Sequence, residues 1–193
     1  MRTIFIIHGS YGNPEENWFP WLKNELESLG HNVMVPRFPI PENQDSSYGG
    51  HNLNAWLSTL QKYENFIDEH TIFVAHSRGC VFLYRVLEQI KRPVKAVFLV
   101  GSWITYRWYP EDRKVLDSFH QTPFAWEKIK NGSRYFEVYQ STNDEIPVDE
   151  GIEIAKHLGA TLHIVKNAGH FNIASDPSYE KFPMLLEEIK KQL

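Results

Sequence analysis

Three polar residues, far apart in the chain, have the types and the order that nucleophilic catalysis needs. Ser77 lies in the stretch AHSRG, Asp144 in STNDEIP and His170 in NAGHF. A serine hydroxyl is a weak nucleophile unless a base takes its proton, and the base works best when an acid orients it and offsets its charge. We therefore predict that Ser77 is the nucleophile, that His170 is the base and that Asp144 orients the base.

Ser77 lies in a very short turn between a predicted strand and a predicted helix. Residues 71–75 are rich in β-branched and aromatic side chains, and the apolar run VFLYRVLEQI follows from Val81. AHSRG differs at one position from G-x-S-x-G, the elbow that exposes a serine at the top of a parallel sheet. Small residues are needed on both sides of the serine, so Gly79 fits and Ala75 is the smallest departure from glycine. The alternative is an ordinary tight turn with an exposed serine.

Asp144 and His170 each follow a predicted strand, residues 134–139 and residues 161–165. Because the carboxyl ends of parallel strands meet at one edge of a sheet, both side chains are expected at the same edge as Ser77. The chain order Ser, Asp, His is also that of the α/β-hydrolases. This shared placement is the main support for a Ser-His-Asp triad.

Other residues compete for two of these roles. Glu145, next in the chain, and Asp112, in the loop after the fourth predicted strand, are rivals to Asp144. His170 is preferred as the base because it combines a strand-end loop with a neighbouring glycine. The competing histidines lie in a strand, on or near a helix, at the end of the first strand, or beside the serine: His163, His157, His31, His8 and His76.

Two stretches of backbone are candidates to hold the negative charge that develops on a substrate oxygen. Because the helix starts directly after Ser77, the N–H group of Arg78 is expected to point at the negative charge that develops beside Ser77. The positive end of the helix dipole would add to the stabilisation of this charge. The first predicted strand, residues 2–8, ends in the loop GSYG, where the N–H group of Ser10 or of Tyr11 is a second donor. A phosphate-binding loop is the poorer alternative, because neither G-x-G-x-x-G nor G-K-[ST] follows.

Six predicted strands alternate with segments of helical spacing along the chain. Such alternation indicates a doubly wound parallel sheet with right-handed crossovers and helices on both faces. No repeat, linker or low-complexity tract divides the chain, so we expect one domain over residues 1–193. The predicted strands are residues 2–8, 32–35, 71–75, 94–100, 134–139 and 161–165, and the helical segments are 18–29, 53–67, 148–158, 182–193 and the run from Val81.

Two long segments without clear periodicity are expected to shape the substrate pocket. Residues 36–52 contain three prolines and two glycines, and residues 101–132 contain seven aromatic side chains. Loops of this length in a compact domain are usually functional or mobile. The aromatic rings either wall a pocket or pack the segment down, and the sequence does not choose between the two. These rings are Trp103, Tyr106, Trp108, Tyr109, Phe119, Phe124 and Trp126.

The overall composition disfavours several kinds of partner. The net charge of −4 comes from 24 acidic and 20 basic residues that are interspersed, which gives no field suited to nucleic acid or to an anionic membrane. No apolar run is long enough to span a bilayer, and the start of the chain lacks a signal-peptide pattern. The single cysteine, Cys80, fits a reducing compartment and is expected to be a packed small side chain. We expect a cytoplasmic protein without a metal site or a cofactor.

Five stretches together resemble a known family: HGSYGNPEENWFPWLKNEL, AHSRG, TPFAWEKIKNG, STNDEIP and NAGHF. Over nearly its whole length, the chain resembles the small serine hydrolases of the YdeN and retinoblastoma-binding-protein-nine type. The resemblance implies a three-layer α/β-hydrolase sandwich of about six parallel strands without a large cap domain. It also implies a nucleophile, an acid and a base that match Ser77, Asp144 and His170. Proteins of this type have been tied to ester or peptide-bond hydrolysis and to protein binding.

These observations lead to one main functional hypothesis and two alternatives. The main hypothesis is an esterase-like serine hydrolase that cleaves a small acyl ester through an acyl-enzyme at Ser77. The first alternative is a small serine peptidase or amidase that uses the same triad. The second is a protein-binding module whose hydrolase site is weak or idle, suggested by the aromatic-rich segment after Gly101.

Overall fold

A parallel sheet forms the centre of the protein, for which a computed structural model describes residues 1–40, 51–105 and 118–193. Its strands are β1 (Thr3–Ile7), β2 (Asn32–Met34), β3 (Ile72–His76), β4 (Ala96–Val100), β5 (Phe136–Ser141) and β6 (Thr161–Val165). All neighbours pair in parallel, in the order β2-β1-β3-β4-β5-β6. The predicted doubly wound parallel sheet is confirmed.

Helices connect the strands and follow the last one, and the described residues also contain the 3₁₀ segments Glu64–Phe66 and Pro177–Glu180. The α-helices in the described residues are α1 (Phe19–Ser28), α2 (Leu53–Gln61), α3 (Arg78–Leu87), α4 (Trp126–Asn131), α5 (Val148–Leu158) and α6 (Pro183–Lys190). In the described parts of the chain, none of the helices has the length and apolar character needed to cross a membrane.

The strand side chains alternate between two hydrophobic cores, one on each face of the sheet. In β1, Phe5 and Ile7 pack into the core that α2, α3, α4 and α5 cover, whereas Ile4 and Ile6 pack into the core that α1 and α6 cover. Successive strand residues point to opposite faces, so a strand that is buried on both faces is a continuous apolar run in the sequence. The three-layer α/β-hydrolase architecture is therefore confirmed. The central strands β1, β3 and β4 were predictable because both of their faces are covered, whereas the edge strand β6 is exposed or half-buried.

Several helices differ in extent from the sequence-based expectation. Helix α3 begins at Arg78, directly after Ser77, as the very short predicted turn requires, and it ends at Leu87 within the apolar run that starts at Val81. Helix α6 ends at Lys190 rather than at Leu193. The helical stripe predicted for residues 53–67 is wrong beyond Gln61, where the chain continues through a 3₁₀ segment. Helix α4 was not predicted, since six residues are too few to display a helical period.

Two of the loops that carry the predicted site follow the neighbouring strands β1 and β3, and the other two follow β5 and β6. From β1 the chain moves outward to β2, and from β3 it moves the other way to β4. Ligands of open parallel sheets bind outside the carboxyl ends of the strands at this reversal of order. The loop after β1 and the turn at Ser77 border this position. Parts of both long segments lie outside the described residues: 41–50 and 106–117, with Tyr106, Trp108, Tyr109 and the rival acid Asp112.

Candidate active site

Ser77 has a strained backbone conformation at the turn between β3 and α3. Its φ and ψ angles are 55° and −123°, a combination that residues with a side chain rarely adopt. The N–H group of Ser77 donates to the carbonyl oxygen of Val100 at 2.9 Å, which ties the turn to the end of β4. The residue is partly exposed. The sharp strand-to-helix turn predicted from AHSRG is thus present at the carboxyl edge of the sheet.

The small residues on the two sides of Ser77 meet different constraints. A Cβ atom on Gly79 would lie 2.7 Å from the carbonyl oxygens of both Ile7 and His8, because the first turn of α3 packs directly on the end of β1. Ala75 is fully buried, and its methyl group belongs to the core on the α3 side of the sheet. The elbow therefore requires glycine at position 79 and accommodates alanine at position 75.

His170 and Asp144 form a hydrogen-bonded pair between the loops that follow β6 and β5. The Nδ1 atom of His170 lies 2.8 Å from Oδ2 and 3.1 Å from Oδ1 of Asp144. Because an ionised carboxylate only accepts hydrogen bonds, Nδ1 carries the hydrogen and Nε2 is the basic atom. The Asp144 side chain is fully buried, whereas 18% of the His170 side chain is exposed. A buried acid thus orients an accessible imidazole.

The two loops are joined by side chains that sequence reasoning missed. Strand β5 begins and ends two residues later than predicted, and its last residue, Ser141, accepts a hydrogen bond at Oγ from the N–H group of Ala168 at 2.9 Å. The Oδ1 atom of Asn143 accepts one from the N–H group of Gly169 at 2.8 Å. The polar run STND was the available signal, because such residues bond to nearby backbone in turns. These two bonds fix the position of the loop after β5, with Asp144, relative to the loop after β6, with His170.

Two further residues fix the position of His170. Gly101, directly after β4, has a φ angle of 59°, and a Cβ atom there would lie 3.2 Å from Cε1 of the His170 ring. His76 donates from Nε2 to the carbonyl oxygen of His170 at 2.8 Å. Burial lowers the pKa of His76 to about 3, so its ring is neutral at ordinary pH. His76 therefore holds the base loop in place and is not itself poised to accept a proton.

The loop after β1 lies directly against the nucleophile. A Cβ atom on Gly9 would lie 2.8 Å from the Cβ atom of Ser77. The Nδ1–H group of His8 donates to the Gly9 carbonyl at 2.9 Å, and the Nε2 atom of His8 accepts from the N–H group of Phe38 at 3.0 Å. The N–H and C=O groups of a trans peptide point in opposite directions, so the first bond turns the N–H group of Ser10 away from the His8 ring.

Five of the six predicted site residues line one cleft of about 600 Å³ at the carboxyl edge of the sheet, and the sixth, Asp144, is bonded to His170. Among the described aromatic residues of segment 101–132, Trp103 lines this cleft, and its ring is nearly fully buried. A separate, largely apolar groove of about 530 Å³ lies between α2 and the end of α3. The cleft, and not the groove, contains Ser77, His170, Arg78, Ser10 and Tyr11.

Comparison with known proteins assigns the chain to a family. The profile of the serine hydrolase family matches residues 4–191. The chain belongs to this family. It is 30% identical to YdeN of Bacillus subtilis, a protein described as a hydrolase, over 189 residues that cover 96% of this chain and 93% of YdeN. The resemblance inferred from the sequence is thereby confirmed.

Solved structures agree with this assignment. The crystal structure of the ydeN gene product from B. subtilis covers 100% of this serine hydrolase and 98% of its own chain, with a TM-score of 0.85 and 28% identity. Est1E from Butyrivibrio proteoclasticus, crystallised with ferulic acid, matches with a TM-score of 0.69 over 98% of this chain and 90% of its own. Its 13% identity shows a shared fold and no more.

The serine hydrolase carries its single cysteine beside the elbow. Cys80 is completely buried, and burial raises the pKa of its thiol to about 12. Its Sγ atom donates to the Ala75 carbonyl at 3.3 Å. The thiol is therefore a packed side chain, as expected, because a protonated thiol is a poor nucleophile. Among the described residues, no group of three or more His, Cys, Asp and Glu side chains is arranged to hold a metal ion.

Proposed function

We propose that this serine hydrolase cleaves a small acyl ester through a covalent acyl-enzyme. The observation that supports the proposal best is the buried Asp144 carboxylate bonded to Nδ1 of His170, beside the cleft that Ser77 lines. A triad needs this tautomer, because only an unprotonated Nε2 atom can take a proton from the serine. The strained turn at Ser77 is a second support, since strain of this kind is concentrated at functional sites.

In the proposed reaction, His170 removes the hydroxyl proton of Ser77 while the serine oxygen attacks the ester carbonyl. Asp144 stabilises the imidazolium that forms. The imidazolium then protonates the departing alcohol, and Ser77 is left as an acyl ester. Water attacks this ester with His170 again acting as base, which releases the acid and restores the serine.

Backbone N–H groups on both sides of the cleft are proposed to hold the negative charge of the tetrahedral intermediates. The N–H group of Arg78 lies in the first turn of α3, where helical N–H groups have no intrahelical acceptor. The second donor is the N–H group of Ser10 or of Tyr11, in the loop that packs against Ser77. One such preorganised donor accounts for about 10²–10³-fold in kcat in serine hydrolysis.

The cleft supports a small organic acyl group as the substrate class. Trp103 and Tyr11 provide aromatic surface, and Ile146 and Ile173 add aliphatic surface. Small-molecule sites are mostly apolar with a few placed polar groups. The bound ferulic acid in Est1E, a protein of the same fold, is consistent with an acid as the product.

The decisive experiment removes the nucleophile. We expect Ser77→Ala to abolish turnover of a short-chain p-nitrophenyl ester and to abolish labelling by a fluorophosphonate, because both require attack by the Ser77 hydroxyl. Ser28→Ala, which removes an exposed hydroxyl at the end of α1, is the control and keeps both activities. Unchanged ester turnover in Ser77→Ala would show that the nucleophile is another residue.

The same measurements separate the ester hypothesis from its alternatives. A clear preference for aminoacyl amides over simple esters would replace the esterase with a peptidase or amidase, which uses the same triad. Failure of the wild-type protein to react with a fluorophosphonate that labels a control hydrolase would favour a binding module with an idle site.

The proposed setting is the cytoplasm, with a small-molecule substrate, without a cofactor and without a nucleic-acid or membrane partner. The lone, buried Cys80 is consistent with a reducing compartment. Recovery of the activity in the soluble cytoplasmic fraction of the source cells tests this location, and recovery outside the cell would contradict it.

A further inference from the structure

Arg78, the residue after the nucleophile, has a buried guanidinium that reaches across to the loop after β1. The residue is 1% exposed. Its Nε–H group donates to the Oγ atom of Ser10 at 2.7 Å. The guanidinium carbon lies 5.3 Å from the centre of the Phe119 ring and 5.8 Å from that of Trp103. The side chain therefore contacts two aromatic rings and is hydrogen-bonded to Ser10.

The bond joins the two stretches of backbone that provide the proposed oxyanion donors. The N–H group of Arg78 belongs to the first turn of α3, and Ser10 belongs to the loop after β1. Each stretch is anchored by contacts of its own, but the guanidinium bond is a direct link between them. Both N–H donors must lie within hydrogen-bond distance of the same transition-state oxygen. A small change in their separation therefore sharply reduces the stabilisation of the transition state.

We propose that the Arg78 side chain is a positioning residue that sets the separation of the two oxyanion donors through its bond to Ser10. This inference rests on the proposed hydrolase function. Arg78 acts through Ser10, because the residue is 1% exposed and its Nε–H group donates to the Ser10 hydroxyl. The planar guanidinium with its fixed N–H directions suits this task, whereas a lysine ammonium is a flexible point donor that does not reproduce an Nε–H bond between two rings.

A matched pair of substitutions tests the proposal. We expect Arg78→Lys to lower kcat for a p-nitrophenyl ester about 10–100-fold with KM changed less than about threefold, because the lost link misplaces a donor used in the transition state. The control is Arg85→Lys, on the same helix. Arg85 is also buried, bonds to the Phe119 carbonyl at 2.8 Å and lies against the Phe124 ring, but it does not line the cleft. Arg85→Lys is expected to lower the unfolding temperature while kcat stays near that of the wild type.

A second readout isolates the oxyanion site from general damage. Alkyl boronic acids form a tetrahedral anionic adduct with an active serine, so their affinity reports the oxyanion donors directly. The affinity of Arg78→Lys for such a boronic acid is expected to fall by about the same factor as kcat. Arg85→Lys is expected to bind it as the wild type does.

Ser10→Ala tests the link from its other end and keeps the Ser10 N–H group. It is expected to lower kcat and boronate affinity as Arg78→Lys does, and the double variant is expected to lose little more than either single variant. If Arg78→Lys does not fold, Ser10→Ala alone decides. The proposed link would be refuted if Ser10→Ala or Arg78→Lys kept the kcat and the boronate affinity of the wild type. Fully additive losses in the double variant would also refute it. Neither result would contradict the proposed hydrolase function. A wild-type protein that neither turns over esters nor labels at Ser77 would instead refute the hydrolase and the link together.

Discussion

At the scale of single residues, Asp144 and Glu145 are neighbours that differ in what their carboxylates contact. Asp144 is buried against His170, whereas Glu145 is exposed at the edge of the cleft. We expect Asp144→Asn to lower kcat/KM for an ester about 10⁴-fold, because an amide group facing Nδ1 favours the wrong imidazole tautomer. Glu145→Gln is expected to change it less than about tenfold. Steady-state kinetics on the two purified variants measures this difference, and equal losses would reopen the assignment of the acid.

The sequence favoured Asp144 and kept Glu145 as a rival, for a physical reason. A shift of one residue in the loop after β5 would exchange their places, and no local propensity resolves such a shift. The register is set by Ser141 and Asn143, whose side chains bond to the backbone of the loop after β6. Contacts between segments so distant in the chain are not visible in a single sequence. His170 stays the predicted base, preferred because it combines a strand-end loop with a neighbouring glycine.

At the scale of elements, the turn between β3 and α3 depends on small residues in two different ways. A Cβ atom on Gly79 would meet the backbone of β1, while the methyl group of Ala75 fills part of the core. We expect Ala75→Gly to lower the free energy of unfolding by about 0.5–1 kcal/mol through backbone entropy and to leave kcat within about twofold. Urea unfolding followed by tryptophan fluorescence, together with ester kinetics, measures both.

Gly79→Ala is the counterpart of this substitution. Backbone atoms cannot yield as a flexible side chain can, so we expect α3 to be pushed from β1, with a loss of more than about 2 kcal/mol in stability and a fall in kcat. Ala75→Gly and Gly79→Ala change the same methyl group in opposite directions, each two residues from Ser77. A Gly79→Ala variant as stable and as active as Ala75→Gly would show that α3 does not pack on β1 as described.

The central strands were predictable because burial on two faces makes them apolar runs, but burial did not decide how well strand ends were predicted. The edge strand β6, whose residues are exposed or half-buried, and helix α5 have the predicted ends, while the fully buried β5 is displaced by two residues from its predicted span. Helix α4 escaped detection because it is short and buries a single residue, Ile129. Its position is decided by packing against α3 and α5, which a local reading does not contain.

At the scale of the whole molecule, the site lies where the two hydrophobic cores meet the carboxyl edge of the sheet. His76 is the last residue of β3, and its ring lies on the side of the sheet that α1 covers. The centre of this ring is within 6.2 Å of the centres of the Trp18 and Phe19 rings. His8 directly follows β1 and lies on the opposite side of the sheet, against the Phe38 and Trp56 rings. Both imidazoles are fully or almost fully buried, and burial lowers the pKa of each. Protonation of His8 or His76 in the unfolded chain therefore makes the stability of the folded protein depend on pH.

This coupling predicts a loss of stability in mild acid. The folded pKa of His76 is about 3 and the unfolded value is 6.5, so between these limits only the unfolded chain binds the proton. The free energy of unfolding therefore falls as pH drops below 6.5, by about 2–3 kcal/mol between pH 6.5 and pH 4.5 for His76, and His8 adds to the fall. His76→Gln keeps an N–H donor near the position of Nε2 for the His170 carbonyl but does not titrate. Its stability is therefore expected to decline by about 2–3 kcal/mol less than that of the wild type over this pH range. The measurement is urea unfolding at pH 7.0, 5.5 and 4.5, with the surface substitution His70→Gln as the control. Parallel curves for the wild type and His76→Gln would mean that His76 is not buried as a neutral ring.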